Sequence, residues 1–212
     1  MLWIILATAI SYLLGSIPNA YIFGRVFGGI DIRKAGSGNV GATNALRILG
    51  KRAGITVLLL DILKGFLAVI LLGGIFSSRI TVISQESLRI VLGVACIIGH
   101  NWPLFLGFKG GKGIATSLGV MLALAIGISG LRAALVALFL TWLGIFLMAK
   151  IVSLASVITA VALPLYLLLF KLPLSLILLG IVLSILVLWR HKANLMRLLQ
   201  GKEPRLQFRK SH

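Results

Sequence analysis

The chain has 212 residues, 59% of them hydrophobic, and a mean hydropathy of +1.11. Lys and Arg number 21 against four Asp and Glu, for a net charge of +17. A soluble domain of this length has no use for so much apolar surface, and the basic residues fall between long apolar runs. These features exclude an ordinary soluble protein and point to a polytopic membrane protein whose charge serves topology, anionic lipid and an anionic substrate, with no nucleic acid as partner. The single Cys96 lies in an apolar run, so no disulfide framework and no metal-ligand spacing is present; no metal or cofactor is expected.

In chain order, Met1-Leu2-Trp3-Ile4 lacks the basic start of a signal peptide and reads as the opening of a retained span. Span one runs from about Leu2 to Phe23, interrupted at Gly15-Ser16-Ile17-Pro18-Asn19, where proline predicts a kink. A basic loop with Arg25, Arg33, Lys34, Arg47, Lys51 and Arg52 follows. Span two, about Ala53 to Phe76, carries Asp61 and Lys64. A polar segment, Ser77 to Arg89, leads to a third span ending near His100. The proline and glycines between His100 and Gly113 forbid a continuous helix there. Span four, about Ile114 to Gly127, is short for a crossing. Spans five to seven cover about Leu131 to Met148, Val152 to Phe170 and Leu172 to Trp189, and a basic tail runs from Arg190 to His212.

The expected fold is therefore all-α: one integral membrane domain over 1–212, about seven transmembrane helices and short cytoplasmic surface helices. Placing the first loop in the cytoplasm puts Lys109, Lys112, Lys150 and the basic tail there too, leaving Arg79, Arg89, Arg132 and Lys171 opposite. That asymmetry requires seven crossings, six being the main competitor, with the N-terminus outside and the C-terminus inside. It also gathers the unusual polar stretches on one face.

The first of these stretches is Gly36-Ser37-Gly38-Asn39-Val40-Gly41-Ala42-Thr43-Asn44-Ala45-Leu46-Arg47. Glycines let backbone N–H groups converge on an anion; Ser37, Asn39, Thr43 and Asn44 add neutral donors, and Arg47 adds a fork suited to phosphate. A helix starting near Asn39 would aim its positive end at the same place. The match of Gly36 to Gly41 with a dinucleotide fingerprint carries no weight, because a hydrophobic span precedes it instead of a βαβ strand.

The second stretch is Gly107-Phe108-Lys109-Gly110-Gly111-Lys112-Gly113-Ile114-Ala115-Thr116-Ser117. A nucleotide P-loop would need glycine at Leu106 and Ser or Thr after Lys112, and both are missing. Lys109 and Lys112 among glycines at the start of a helix still suit a polyanion. The bland reading is a glycine-rich turn with topogenic lysines. Asp61 and Lys64, three residues apart in a span, are expected to pair and to order the first loop. His191 and Asn194 share a helix face just past span seven, and Ser153 sits just inside span six, where alone it would be a cap. Asp31, Asp61, Glu86 and Glu203 are the only acids, and the spacing offers neither a carboxylate dyad nor a Ser-His-Asp set. A His-x-x-x-x-Asp acyltransferase motif is missing as well. Any transfer must work by positioning and charge neutralisation on an already activated substrate.

Several motifs at compatible spacing resemble one family from end to end. They are Gly15-Ser16-Ile17-Pro18, Ile30-Asp31-Ile32-Arg33, the glycine loop from Gly36, Asp61-Ile62-Leu63-Lys64-Gly65, the run from Gly99 to Gly119, and His191-Lys192-Ala193-Asn194. The chain is similar to the bacterial acyl-phosphate:glycerol-3-phosphate acyltransferases of the PlsY type. The resemblance implies a multi-pass protein of the bacterial cytoplasmic membrane with its active site on the cytoplasmic face. It implies acyl transfer from acyl phosphate to the 1-hydroxyl of sn-glycerol 3-phosphate, giving lysophosphatidic acid and phosphate. It also implies a functional link to an acyl-carrier-protein:phosphate acyltransferase.

The resemblance implies that Ser37, Arg47 and Lys112 would hold phosphate, with Ser153, His191 and Asn194 completing the polar pocket. The wider phosphate-binding set then comprises Gly36, Gly38, Asn39, Gly41, Thr43, Asn44, Lys109, Gly110, Gly111, Gly113 and Thr116. His191 or the leaving phosphate is expected to take the hydroxyl proton, and Gly73, Gly93 and Gly119 to leave an apolar groove for the acyl chain. An organic-phosphate carrier is the competing reading from another class, since broken helices and an intramembrane ion pair would suit one. No convincing inverted repeat supports it. A basic lipid-binding scaffold leaves the paired glycine loops unexplained.

Overall fold

The structure is a computed structural model and describes residues 1–206; the expected tail residues Gln207 to His212 lie outside the described residues. The chain forms two compact units, Met1–Gly127 and the part from Ile128 onward. Among the described residues every regular element is helical.

In the first unit, α1 (Leu2–Gly15) and α2 (Asn19–Gly28) are two halves of one span, broken at Pro18 as proline predicts. The short α3 (Ala42–Leu49) follows the first glycine loop. The second span is α4 (Lys51–Leu67), which passes through one widened turn at Ala68–Leu72 into α5 (Gly73–Ser77). The third is α6 (Gln85–Asn101), capped by Ser84, whose hydroxyl accepts the Ser87 N–H at 3.1 Å. It begins inside the stretch expected to be a polar connection. The unit closes with α7 (Ile114–Leu124).

Small residues set the packing of this unit. A Cβ at Gly15 would collide with the Cys96 backbone and one at Gly99 with the Tyr12 carbonyl, so α1 and α6 run in backbone contact. Ser11 Oγ donates across the same seam to the Leu92 carbonyl at 2.6 Å. Gly65 and Gly119 do the same for α4 and α7, against Thr116 and Ile62. Gly119 is thereby spent on helix packing. Gly93 faces Val120 and Val69, and Gly73 faces the Arg89 side chain. At each of the three glycines expected to line an acyl groove, a Cβ would meet a neighbouring element.

In the second unit, α8 (Ser129–Ala149) and α9 (Val152–Leu169) form an antiparallel pair, and α10 (Leu174–Arg190) packs on α9. The chain then bends by 63° into α11 (Lys192–Leu199) and ends in an extended segment whose Leu206 N–H bonds the Lys150 carbonyl at 2.8 Å.

Among the described residues five helices are long and apolar enough to cross a membrane, and α10 with its bent continuation makes a sixth. The segment expected as span four, α7, has 11 residues. At about 1.5 Å per residue it falls well short of the roughly 30 Å hydrocarbon core. Exposed large side chains such as Leu59, Leu71, Phe139, Leu147 and Leu165 on the long helices suit lipid, not water. The chain is an all-helical integral membrane protein.

Candidate active site

The first glycine loop is anchored upstream by a charged cluster. Asp31 accepts its own turn's Arg33 N–H at 3.0 Å and pairs with the Arg33 guanidinium at 2.7 Å and with Arg25 at 3.4 Å. Arg33 also lies over the Tyr21 ring, 4.9 Å from its centroid. The hydrogen bond from Arg33 is the main reason the Asp31 carboxyl is held well below the usual carboxylate range.

Within the loop, Gly36 and Gly38 have φ of +59° and +69°, which a side chain would strain. The loop closes on Asn44, which is buried at the start of α3. Its amide donates to the carbonyls of Ile32 (3.3 Å), Ala35 (3.1 Å) and Asn39 (3.0 Å), and its Oδ1 accepts the Ser37 N–H at 3.0 Å. Asn44 was expected to donate to phosphate. Its amide is instead consumed in building the loop, and so is the Ser37 N–H. The Ser37 side chain, 3.5 Å from the Asn39 N–H, and Arg47 are both exposed. Gly41 precedes α3 in extended backbone, so the helix starts at Ala42, three residues later than expected, with Thr43 in its first turn.

The second loop leaves α6 at Asn101 and turns through Pro103 and Leu104–Leu106 before reaching Gly113, the left-handed residue that opens α7. Lys109 is exposed and Lys112 half-buried, while Gly110 and Gly111 pass directly over His100. Thr116 does not belong to the loop's open face. It is fully buried, with its hydroxyl unpartnered, against Gly65 of α4. One turn into α7, the helix period has carried it round to the packing side.

Below this loop lies a buried ionic cluster. Asp61 Oδ1 pairs with Lys64 Nζ at 2.9 Å, accepts from Asn19 Nδ2 at 2.9 Å and lies 3.6 Å from His100 Nδ1. Lys64 also donates to the Ile17 carbonyl at 3.0 Å, in the break of span one. The predicted Asp61–Lys64 pair is thus present. Its further partners are the helix break and His100, not the polar groups of Gly36 to Arg47. Spacing identified neither Asn19 nor His100. Their signals were a polar residue after a helix-breaking proline and a histidine at the mouth of the second glycine loop.

The second unit holds Ser153 and Asn194 around a residue that spacing had left without a role. Glu203 accepts from Ser153 Oγ at 2.7 Å, from Asn194 Nδ2, and from Arg197 Nε at 2.7 Å. Burial tends to raise the Glu203 carboxyl, but these donors together hold it below the ordinary glutamate range. Ser153 and Asn194 are therefore brought together by a carboxylate from the tail. His191 is buried, and its Nδ1 lies 2.9 Å from the Val187 carbonyl. A carbonyl only accepts, so Nδ1 is the donor in this contact.

Three comparisons with known proteins identify the family. Residues 5–201 match the family model described as glycerol-3-phosphate acyltransferase. Glycerol-3-phosphate acyltransferases of Prochlorococcus marinus (strain NATL2A) and, numbered 2, of Moorella thermoacetica are 43% and 42% identical to the chain. They align over 92% and 97% of it and over 94% and 98% of their own lengths. Crystal structures of PlsY (YgiH), an integral membrane glycerol 3-phosphate acyltransferase, superpose with TM-scores of 0.81 for the glycerol 3-phosphate form and 0.79 for the lysophosphatidic acid form. Both are 39% identical and cover 96% of this chain, and 96% and 95% of theirs. With matches of this identity running through both units, the chain belongs to the PlsY family of glycerol-3-phosphate acyltransferases.

Proposed function

We propose that the protein moves a fatty acyl group from acyl phosphate to the 1-hydroxyl of sn-glycerol 3-phosphate, releasing lysophosphatidic acid and inorganic phosphate. The observation that carries this reading is the state of the carboxylates. Asp31 is held by Arg33 and Arg25, Asp61 by Lys64 and Asn19, and Glu203 by Ser153, Asn194 and Arg197. Three of the four carboxylates are so engaged, which suits a donor that arrives already activated, as a mixed anhydride does. The neighbouring PlsY structures, described as glycerol 3-phosphate and lysophosphatidic acid forms, support the acceptor and the product.

In the direct reaction the acceptor oxygen attacks the acyl carbonyl carbon and the carbonyl–phosphate C–O bond breaks. The leaving phosphate keeps the electron pair, and the hydroxyl proton passes to it or to His191 Nε2. Ser37, Arg47 and Lys112 hold and neutralise phosphate. The family match over 5–201 supports one catalytic domain spanning both units. The excess of positive charge in the first loop and tail supports a cytoplasmic site in a bacterial inner membrane. A second enzyme, one that phosphorolyses acyl-carrier protein thioesters, would supply the donor.

Purified protein in lipid, given radiolabelled glycerol 3-phosphate with acyl phosphate, acyl-CoA or acyl-carrier protein, tests the reading. Lysophosphatidate is expected from acyl phosphate alone. Arg47→Ala and Lys112→Ala are each expected to lower kcat/KM by about 10²-fold or more. Product from acyl-CoA would replace the donor, and retained glycerol 3-phosphate binding without product would favour a carrier.

A further inference from the structure

The cluster under the second glycine loop is unusual for its burial. The side chains of Asp61, Lys64 and His100 are 3%, 5% and 7% exposed, and Asn19 and the Ile17 carbonyl complete it. Charges withdrawn this far from water are costly, and such groups are retained where they specify one arrangement of the chain. The arrangement specified here is legible. His100 meets the loop twice: its carbonyl accepts the Gly111 N–H at 3.0 Å, and its imidazole Nε2 fills the space that a Cβ on Gly111 would need. Its Nδ1 faces Asp61. The ring therefore stands between a buried carboxylate and the backbone immediately before Lys112. Asp61, Lys64, His100, Asn19, Gly110 and Gly111 border the same small polar cavity, and Val40 brings the first glycine loop to it.

We propose that Asp61, through His100, is the positioning device of the second glycine loop. The carboxylate fixes the imidazole, the imidazole and its own carbonyl fix Gly111, and Gly111 sets where Lys112 presents its ammonium. Lys64 and Asn19 hold the carboxylate in place and tie it to the break in span one. Asp61, Lys64 and His100 are positioning residues in this scheme, and none touches substrate. The glycine at 111 is explained by the absence of space, since its φ is not in the left-handed region. The proposal rests on Lys112 holding phosphate, but it makes a structural claim that can be measured without turnover.

The test is a double-mutant cycle in the full protein reconstituted in lipid: Gly111→Ala, His100→Ala, and both together, with Asp61→Asn as a separate variant. Initial rates, thermal midpoints and amide hydrogen exchange over 107–113 are read for each. The methyl of Gly111→Ala is expected to displace the loop and cost on the order of 10²-fold in kcat/KM. In the His100→Ala background the same methyl enters vacated space and should cost under threefold. Exchange over 107–113 should rise in Asp61→Asn and in His100→Ala while other helices stay protected.

An equal cost of the methyl in both backgrounds, in rate and in thermal midpoint, overturns the proposal. So does exchange over 107–113 that is unchanged in His100→Ala. If Asp61→Asn fails to fold, the cycle between 100 and 111 decides alone, because His100→Ala leaves Asp61 with Lys64 and Asn19. Coupling seen in thermal midpoint and exchange, with kcat/KM untouched, would uphold the positioning and overturn the assignment of this loop to phosphate.

Discussion

Asn44 shows how one side chain defines the first loop. It is 1% exposed, and its own buried amide is satisfied by three carbonyls and one N–H of the loop. Leaving a buried polar group unpaired costs about 1–3 kcal/mol. Asn44→Ala is therefore expected to lower the thermal midpoint and to abolish acyl transfer without any loss of a phosphate contact. Asn44→Asp, which loses the donors, should do nearly as much. His191 makes a different prediction. If its Nε2 takes the hydroxyl proton, His191→Ala flattens the acid limb of the kcat/KM profile. Full activity with an unshifted profile would leave the departing phosphate as the acceptor.

At the scale of elements, α11 is held by Glu203 reaching back from the tail to Ser153 on α9 and to Asn194 and Arg197 on α11 itself. The folded carboxyl titrates below its usual value near 4.5. The stabilisation it gives is accordingly complete above that value and is lost as the pH falls through the lowered one. The protection of amides in 192–206, relative to their intrinsic exchange rate at each pH, should hold from neutral pH down to about 5 and be lost on further acidification. Glu203→Gln should lack this protection throughout, and undiminished protection in that variant would refute the role.

The glycines of the helix seams predict a contrast. Gly119→Ala pushes a methyl into the Ile62 carbonyl and should cost about 1–3 kcal/mol. Gly144→Ala, in α8 with open space around it, should be neutral or slightly stabilising.

For the whole molecule the decisive question is orientation. Under the expected seven crossings Lys109 and Lys150 would face the cytoplasm and Lys171 the outside. In a Cys96→Ala background, an impermeant maleimide added to intact spheroplasts should label Lys171→Cys at once. It should label Lys109→Cys only after the membrane is opened, and the reverse pattern would invert the topology. The same experiment at flanks of α7 decides how an 11-residue helix is accommodated.

The sequence by itself determined the all-helical membrane class, the position of nearly every helix within a few residues, the break at Pro18 and the family. These follow from local signals: apolar run length, proline and glycine chemistry, and motif order. The Asp61–Lys64 pair was legible too, because three residues on a helix suffice to place one side chain beside another. Only the tertiary structure decided which polar groups were engaged elsewhere or turned away from the loops. Asn44 closes its own loop, Thr116 turns to the packing face, the expected groove glycines pack helices, and Glu203 gathers Ser153, Asn194 and Arg197. His100 reaches Asp61 across 39 positions of chain by helix packing alone. The reason is that a buried polar group takes whichever partner the packing brings within 3 Å or so, and sequence spacing carries no record of neighbours that arrive from other helices.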